Sequence, residues 1–326
     1  MNSHNLQSLL IEYDQKRNKA ILDAENKKIQ MYKKIPALEK VDNDITSFSI
    51  STIKSMLTSK NPDAPQKLKK ELSVLKQKKI EILQNAGLSI NDISPKFECS
   101  NCNDTGYITI NNPTVLCPCI KQKLYNIQYN NSNIYDLENQ NFSKFNLNFY
   151  SNEVNVEKYN SKISPRENIK KILNICKKFI ENFDDAEENN LLFCGNTGLG
   201  KTFLSSCIAN ELIKKGKTVL YQTAPIMLDS IIDYKFGKTS NDVINTINTV
   251  DLLIIDDLGT ESKNNIKLTE LLNQNNKITK TIISTNLSLQ DLYNTYEERI
   301  LSRIIGNYEA CYFFGDDIRV KKKLNI

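Results

Sequence analysis

Apolar residues recur at helical spacing in two stretches of the N-terminal part of the chain. Residues 3–32 predict one helix, and residues 66–85 predict a second helix that ends just before Gly87. Pro36 interrupts the pattern between them. We therefore expect residues 1–95 to form a small helical domain, built as a helical hairpin or a short coiled pair.

Short apolar runs alternate with helical patterns in the second half of the chain. An apolar stripe with a period of 3.6 residues begins at Pro165 and predicts a helix. Strands are predicted at 191–194, 218–222, 252–255 and 281–285, with a last short strand at 311–314. Strands separated by helices of this length are typical of an α/β fold, a parallel sheet with helices on both faces. We expect this domain to span residues 164–326.

The middle of the chain changes character twice. Residues 96–125 contain four clustered cysteines, turn-forming residues and a short alternating pattern at 107–110, which together predict a small metal-stapled knuckle. Residues 126–163 are rich in asparagine and lack strong periodicity, so we expect a linker that ends by packing onto the next domain.

Composition and charge narrow the class of protein. The 326 residues are 40% hydrophobic and 25% charged, as in globular proteins, and no run of about 18 apolar residues predicts a membrane span. The first ten residues lack the features of a secretory signal, so we expect a cytoplasmic protein with no membrane association.

The charge is unevenly distributed along the chain. Residues 1–98 hold 17 Lys and Arg against 12 Asp and Glu. This excess is compatible with nucleic acid, but it is also typical of a solvated helical surface.

Residues 195–202 fit the phosphate-binding pattern G-x-x-x-x-G-K-[ST] at every fixed position, between a predicted strand and a predicted helix. The glycines let backbone N–H groups surround a phosphate. Lys201 has the reach for the outer phosphates of ATP, and the Thr202 hydroxyl is a ligand for Mg²⁺. The predicted nucleotide-binding residues are Gly195, Asn196, Thr197, Gly198, Leu199, Gly200, Lys201, Thr202, Phe203 and Asp256.

Polar side chains follow two later predicted strands, 252–255 and 281–285. Asp256 and Asp257 follow an apolar run, at the sheet edge where ligands bind in α/β folds. We predict that Asp256 is a Mg²⁺ ligand and that Asp257 polarises the attacking water, although an ordinary acidic turn would give the same pattern. Asn286 is predicted to orient that water. The alternative for Asn286 is a helix N-cap.

Four cysteines are clustered at Cys99, Cys102, Cys117 and Cys119. Four thiolates suit structural Zn²⁺, and the one histidine, His4, is distant in sequence. Redox-active cysteines and an iron–sulfur cluster are the alternatives. The four isolated cysteines are predicted to be reduced core residues.

With these strand ends in order, the chain resembles the AAA+ branch of P-loop ATPases, and within it the bacterial replicative-helicase loaders of the DnaC/DnaI type. The resemblance covers residues 95–326. The matching segments are Glu98–Tyr107 with Cys117–Cys119 (zinc site), Asn141–Phe145 (aromatic segment), Asp256–Glu261 (Walker B and its extension), Ser284–Asn286 (sensor 1), Glu298–Arg303 (arginine-finger helix) and Asp317–Arg319 (sensor 2).

The resemblance implies roles that spacing alone does not. Arg303 would be an arginine finger that acts on ATP held by a neighbouring subunit, and Arg319 would contact nucleotide in its own subunit. From spacing alone, Arg299 and Arg303 form a pair one turn apart on a solvated helix. General AAA+ enzymes have Glu where Asp257 stands, so slow hydrolysis of ATP is expected.

The function implied is an ATP-dependent loader that binds the replicative DNA helicase through residues 1–125 and helps to place it on single-stranded DNA. ATP would act as an assembly and release switch through self-association of the ATPase domain. The alternatives are an IstB-type transposition ATPase that acts on duplex DNA and a nucleotide-binding scaffold with little hydrolysis. Lys235, Lys238 and Lys263 are candidates for DNA contact or ordinary surface lysines.

Overall fold

A computed structural model describes residues 3–58, 64–110, 112–128, 140–237, 242–261 and 279–324 of the chain. Backbone contacts divide the chain into two compact units. One comprises residues 7–115, and the other comprises residues 116–326 together with the first six residues.

The first unit contains three long helices rather than the expected pair. They are α1 (Ser3–Lys34), α2 (Pro36–Thr58) and α3 (Ala64–Asn85). Pro36 starts α2 instead of interrupting the helical pattern, because proline is favoured at the first position of a helix, where its missing N–H is not needed. A small buried cluster of Leu38, Leu83 and Ile93 packs between the helices and the segment after α3.

A buried carboxylate ties these helices together. Asp42 in α2 accepts hydrogen bonds from the Lys79 ammonium of α3 at 2.7 Å and from the Tyr32 hydroxyl of α1 at 2.6 Å. The Lys28 ammonium of α1 lies 3.0 Å from the same carboxylate. Burial alone would raise the pKa of Asp42, but the bonds from Lys79, Tyr32 and Lys28 outweigh burial and lower the pKa below its ordinary value.

A short hairpin and a helix follow. Strands β1 (Tyr107–Thr109) and β2 (Thr114–Leu116) pair in a two-stranded sheet, and α4 (Pro118–Gln128) begins directly after Cys117. The predicted strand at 107–110 is therefore present.

The second unit contains a five-stranded parallel sheet, as the sequence predicts. Its strands are β3 (Asn190–Cys194), β4 (Val219–Thr223), β5 (Leu252–Leu258), β6 (Lys280–Thr285) and β7 (Tyr308–Tyr312), and they lie in the order β4-β5-β6-β3-β7. All four pairings are parallel. The last strand starts three residues earlier than expected.

Helices cover both faces of this sheet. Besides α4, the helices described in the second unit are α5 (Val156–Tyr159), α6 (Pro165–Glu181), α7 (Lys201–Lys214), α8 (Ala224–Lys235), α9 (Asp242–Ile247), α10 (Leu289–Thr295), α11 (Glu298–Asn307) and α12 (Ile318–Leu324). Alternate residues of each strand face opposite sides. Leu252 and Ile254 join the apolar core against α6 and α7, whereas Leu253 and Ile255 join the core against α8 and α11. The predicted fold class is confirmed.

Helix α4 protects one edge of the sheet. The side-chain amide of Gln122 accepts a hydrogen bond from Val219 N at 2.6 Å and donates one to Val219 O at 2.9 Å. The amide thereby takes the place of a neighbouring strand along β4, the edge strand. This satisfies backbone groups that would otherwise be buried without partners.

The cysteines outside the cluster lie in the core, as the sequence predicts. The four isolated cysteines, Cys176, Cys194, Cys207 and Cys311, are all buried, and burial is the main cause that raises the pKa of each thiol. No helix in the described part of the chain combines the length and apolar character needed to cross a membrane.

Candidate nucleotide site

The glycine-rich loop connects β3 to α7, and its lysine is the first residue of that helix. Gly200 is the N-cap, with a φ of +93°. The Lys201 ammonium donates hydrogen bonds to the carbonyls of Gly195 at 2.7 Å and Asn196 at 2.8 Å, and to Asn286 Oδ1 at 2.8 Å. The side chain therefore folds back over its own loop and places its positive charge beside that loop.

The C-terminal segment braces the same loop. Ile318 N donates to Gly198 O at 2.9 Å, and the Asp317 carboxylate lies beneath Gly198, where a Cβ would come within 2.1 Å of Asp317 Oδ1. Gly198 also has a φ of +75°, so glycine is required for both space and conformation. Asp317 accepts from Arg319 N at 2.7 Å and so fixes the start of α12 beside the loop.

A bulge at the end of β5 brings two adjacent carboxylates to the site. The pairing of β5 with β6 shifts register between Ile255 and Leu258, and Asp257 adopts a left-handed φ of +56°. In a regular strand, neighbouring side chains point to opposite faces. The bulge removes that restriction, and aspartate is one of the few residues other than glycine that tolerates this conformation.

Hydroxyl groups surround Asp256, which is only 3% exposed. Tyr221 OH donates to Asp256 Oδ2 at 2.9 Å, and Ser284 Oγ donates to Asp256 Oδ1. The Thr202 hydroxyl lies 3.4 Å from the same Oδ1. Asp256 and Thr202, the two predicted Mg²⁺ ligands, are therefore adjacent.

Asn286 links the lysine to the second aspartate. Its Oδ1 accepts from Lys201, and its Nδ2 donates to Asp257 Oδ1 at 3.4 Å. The alternative role as a helix N-cap is wrong, because the N-cap of α10 is Ser288, which forms a capping box with Asp291.

The charges of the site influence one another. Burial, and then the neighbouring negative charge of Asp256, raise the pKa of Asp257 above its ordinary value. Burial lowers the pKa of Lys201, although both carboxylates oppose that shift. Burial together with Asp256 raises the pKa of Tyr221 well above its usual value, so the phenol remains a hydrogen-bond donor.

A cavity of about 340 Å³ is lined in part by Lys201 and Asp257. Its wall contains residues 197–202, Asp257, Asn286 and Arg319. Aromatic side chains, among them Phe145, Phe149 and Tyr150, also line it. The rings of Phe145 and Tyr150 stack at 5.8 Å, and Tyr150 OH donates to Leu199 O at 2.9 Å. The cavity is thus lined by both polar and aromatic side chains, and the aromatic ones lie beside the glycine-rich loop.

The two predicted arginines occupy different places. Arg319 lines the cavity, whereas Arg303 lies exposed on α11 and is not among the described residues that form the cavity wall. The side chain of Arg299 lies outside the described part of the chain. Lys238 and Lys263 lie outside it too, as does the side chain of Lys235.

The donor set fits Mg²⁺. This cation prefers oxygen ligands and is usually bound in nucleotide sites by one or two protein oxygens together with phosphates. The Thr202 hydroxyl and the Asp256 carboxylate supply such oxygens side by side.

The four clustered cysteines also converge. The Sγ atoms of Cys99, Cys102, Cys117 and Cys119 all lie within 4.8 Å of one another. Tetrahedral zinc, with Zn–S bonds of about 2.3 Å, requires sulfur atoms about 3.8 Å apart. The buried Asp104 accepts hydrogen bonds from Glu98 N at 2.9 Å and Cys99 N at 2.8 Å, which holds the loop of the first two cysteines in place.

Three residues of the site were not given their roles from the sequence. Tyr221 looks like an ordinary core residue of a strand, Ser284 like part of a motif, and Tyr150 like part of a linker. Only tertiary contacts reveal that Tyr221 and Ser284 hold Asp256 and that Tyr150 holds the loop.

Comparison with known proteins identifies relatives of the sheet unit. The family profile of IstB-like ATP binding proteins matches residues 141–325. The replicative helicase loader DnaC of Escherichia coli K12 is 29% identical over 154 residues, which cover 45% of this chain and 62% of that protein. A protein of Sinorhizobium fredii described as an insertion sequence ATP-binding protein is 28% identical over 147 residues, or 41% of this chain and 58% of that protein. The chain therefore spans less than two thirds of the length of these curated relatives.

Comparison with solved structures gives matches of lower sequence identity. A crystal structure of the DnaC helicase loader has a TM-score of 0.44 and 23% identity, and covers 55% of this chain and 99% of that chain. A crystal structure of DnaI has a TM-score of 0.40 and 22% identity, with coverages of 45% and 85%.

Proposed function

The chain belongs to the family of IstB-like ATP-binding proteins, and from this membership we propose that it is an ATP-dependent loader of the replicative DNA helicase. In this proposal it binds the helicase through residues 1–125 and helps to place it on single-stranded DNA. ATP acts as the assembly and release switch. The observation on which the proposal rests is the 154-residue similarity to replicative helicase loaders, combined with the cavity that Lys201 and aromatic side chains line.

ATP binds in this cavity with its phosphates along residues 195–202. The stacked rings of Phe145 and Tyr150, which line the same cavity, receive the base. Thr202 and Asp256 hold Mg²⁺, which neutralises negative charge on the phosphates when it is bound. Lys201 adds a positive charge at the outer phosphates, and Arg319 adds a second from α12.

Hydrolysis of ATP depends on residues at the ends of two strands. Asp257 polarises the attacking water as a general base, and Asn286 keeps that carboxylate and Lys201 in a fixed relation. The short side chain of Asp257 limits its reach, so turnover is slow. The family is one of nucleotide-binding ATPases, and loss of hydrolysis in Lys201→Ala tests this step for the chain.

Arg303 completes the pocket of a neighbouring subunit. Its exposure on α11 leaves the guanidinium accessible to a second copy of the chain. Lys201→Ala subunits cannot use their own ATP, and Arg303→Ala subunits cannot assist a neighbour's. A mixture of the two variants should therefore hydrolyse ATP faster than either alone. No gain on mixing would contradict action between subunits.

The helicase partner is tested by direct capture. The immobilised hexameric replicative helicase encoded in the same genome should retain the full chain, and Lys201→Ala should change the nucleotide dependence of release. Failure to bind with or without ATP would overturn the loader proposal. ATPase activity that single-stranded DNA does not alter, and that neither Lys201→Ala nor Arg303→Ala reduces, would favour a scaffold with little hydrolysis.

A second candidate is a transposition ATPase that acts on duplex DNA. It is favoured by the family profile itself and by the similarity to an insertion sequence protein. ATP-dependent binding to duplex DNA, together with no binding to the helicase, would select this function instead.

The four clustered cysteines bind structural Zn²⁺. Their mutual distances and their thiolate chemistry suit this ion. Metal analysis of protein purified without chelators should give one zinc per chain, and Cys102→Ser should reduce it. Coloured protein that contains iron would identify an iron–sulfur cluster, and metal-free protein would favour redox-active cysteines.

A further inference from the structure

Tyr221 is a tyrosine at a position where the sheet requires only an apolar residue. It is completely buried in β4, among Ile254, Phe193 and other apolar residues of one sheet face. Burying a hydroxyl without a partner is costly, so phenylalanine would serve packing better. The hydroxyl is therefore explained by the atom that it contacts rather than by the core.

That atom belongs to Asp256. Thr223 of β4 is the register partner of Asp256, so Tyr221 lies two residues earlier on the neighbouring strand and faces the same side of the sheet. From there its hydroxyl reaches Asp256 Oδ2 at 2.9 Å.

The two carboxylate oxygens of Asp256 have different hydrogen-bond partners. Oδ2 accepts from Tyr221, while Oδ1 accepts from Ser284 and lies 3.4 Å from the Thr202 hydroxyl. A carboxylate bonded at both oxygens cannot rotate about its terminal bond without breaking a bond. Because Oδ2 is turned toward Tyr221, Oδ1 is turned toward Thr202.

We propose that Tyr221 is a positioning residue, which orients the Asp256 carboxylate so that it and Thr202 together bind the Mg²⁺ of a magnesium–nucleotide complex. This inference rests on the proposed nucleotide function. Tyr221 contacts neither nucleotide nor metal and acts only through Asp256. Residues that orient a metal ligand typically change metal affinity by about 10- to 100-fold when they are removed.

The test compares nucleotide binding with and without Mg²⁺. The affinity of each variant for fluorescent mant-ADP is measured in excess Mg²⁺ and in excess EDTA, and the ratio of the two dissociation constants gives the enhancement by Mg²⁺. Tyr221→Phe should reduce this enhancement about tenfold and leave the affinity in EDTA unchanged. A structural role would weaken both affinities together and leave the ratio intact.

Two reference variants calibrate the result. Tyr308→Phe removes the hydroxyl of another tyrosine in the same sheet, one that bonds to Thr281 rather than to a carboxylate, and should leave the ratio unchanged. Asp256→Asn should remove most of the enhancement. If Tyr221→Phe does not fold, Ser284→Ala, which removes the donor to Oδ1, should reduce the ratio instead.

The outcomes separate the inference from the proposed function. An unchanged ratio in Tyr221→Phe, beside a normal enhancement in the parent protein, overturns the role of Tyr221 alone. A parent protein that does not bind mant-ADP, or binds it equally well in EDTA, overturns the magnesium–nucleotide site itself.

Discussion

Two buried carboxylates, one in each compact unit, are held in opposite ways. Asp42 in the helical unit is bonded to Lys79 and lies 3.0 Å from the Lys28 ammonium, so its charge is neutralised inside the fold. Asp256 in the sheet unit receives its hydrogen bonds, among the described residues, from neutral hydroxyls. Hydroxyl donors fix a carboxylate without supplying a positive charge. A buried carboxylate with this environment is suited to an external cation, whereas one bonded to lysines serves the structure.

The largest expected effect comes from Asp256→Asn. The amide keeps the size of the side chain but loses its negative charge, so hydrolysis of ATP should fall at least about 100-fold, as when one electrostatic group of a catalytic site is removed. Stability should stay equal or rise, because a buried charge is removed. ATPase assays and thermal unfolding check both expectations.

Asp229→Asn, an exposed change on α8, is the matched control and should alter neither quantity. A destabilised Asp256→Asn that still hydrolyses ATP would show that Asp256 is structural like Asp42, and the contrast between the two units would be lost.

Asp42→Asn should have the reverse profile. It leaves two lysine charges without their carboxylate, and breaking a buried ion pair from one side costs about 3–5 kcal/mol. Lys28 is 36% exposed, which lets water compensate part of this cost, so we expect about 2–3 kcal/mol. Denaturant unfolding of the full chain, followed by circular dichroism, measures the loss.

Asp44→Asn provides the control on the same helix, since Asp44 is exposed and its replacement should cost little. Affinity for mant-ADP should be unchanged in both variants. A loss of nucleotide binding in Asp42→Asn would contradict a purely structural role for Asp42.

The pH dependence of stability gives a further test of the role of Asp42. The folded-state pKa of Asp42 is lowered, so its stabilising contribution is complete above the unfolded-state value of about 4 and is lost as the pH falls below it. The difference in stability between the parent protein and Asp42→Asn should therefore shrink from pH 5 toward pH 3. A difference that stays constant over this range would contradict the lowered pKa.

Asp257 has a raised pKa, so protonation of its carboxyl begins at higher pH and relieves repulsion with Asp256.

Motifs and strands that are made of consecutive residues could be predicted from the sequence, whereas contacts that depend on tertiary packing could not. Residues 195–202 form a local pattern whose chemistry follows from the order of residues, and each core strand was found within a few residues of its place. The helix α2 was missed because Pro36 marks a helix start as well as a break. The hydrogen-bond partners of Asp256 include Tyr221 of β4 and Ser284 of β6. The strand order that brings these residues together cannot be read from any single segment of the sequence.

Asp257 illustrates the same limit on a finer scale. From the sequence, the resemblance to AAA+ ATPases implies only that aspartate stands where those enzymes have glutamate, and the shorter side chain then predicts slow hydrolysis. The structure adds a backbone reason, because this residue adopts a φ of +56° beside the bulge of β5. Aspartate tolerates the left-handed region better than glutamate does.

The smallest expected effect tests this backbone reason. Asp257→Glu should lower the free energy of unfolding by about 1 kcal/mol, because a left-handed conformation costs an ordinary L-residue roughly 1–2 kcal/mol. Asp257→Asn is the matched comparison, since asparagine also tolerates this conformation and should keep or raise stability while hydrolysis falls. Urea unfolding of the three proteins ranks them as Asn equal to or above Asp, with Glu lowest. If the Glu variant were as stable as the parent and hydrolysed ATP faster, the aspartate would not be required by the bulge, and the shorter reach of its side chain alone would account for slower hydrolysis in the parent.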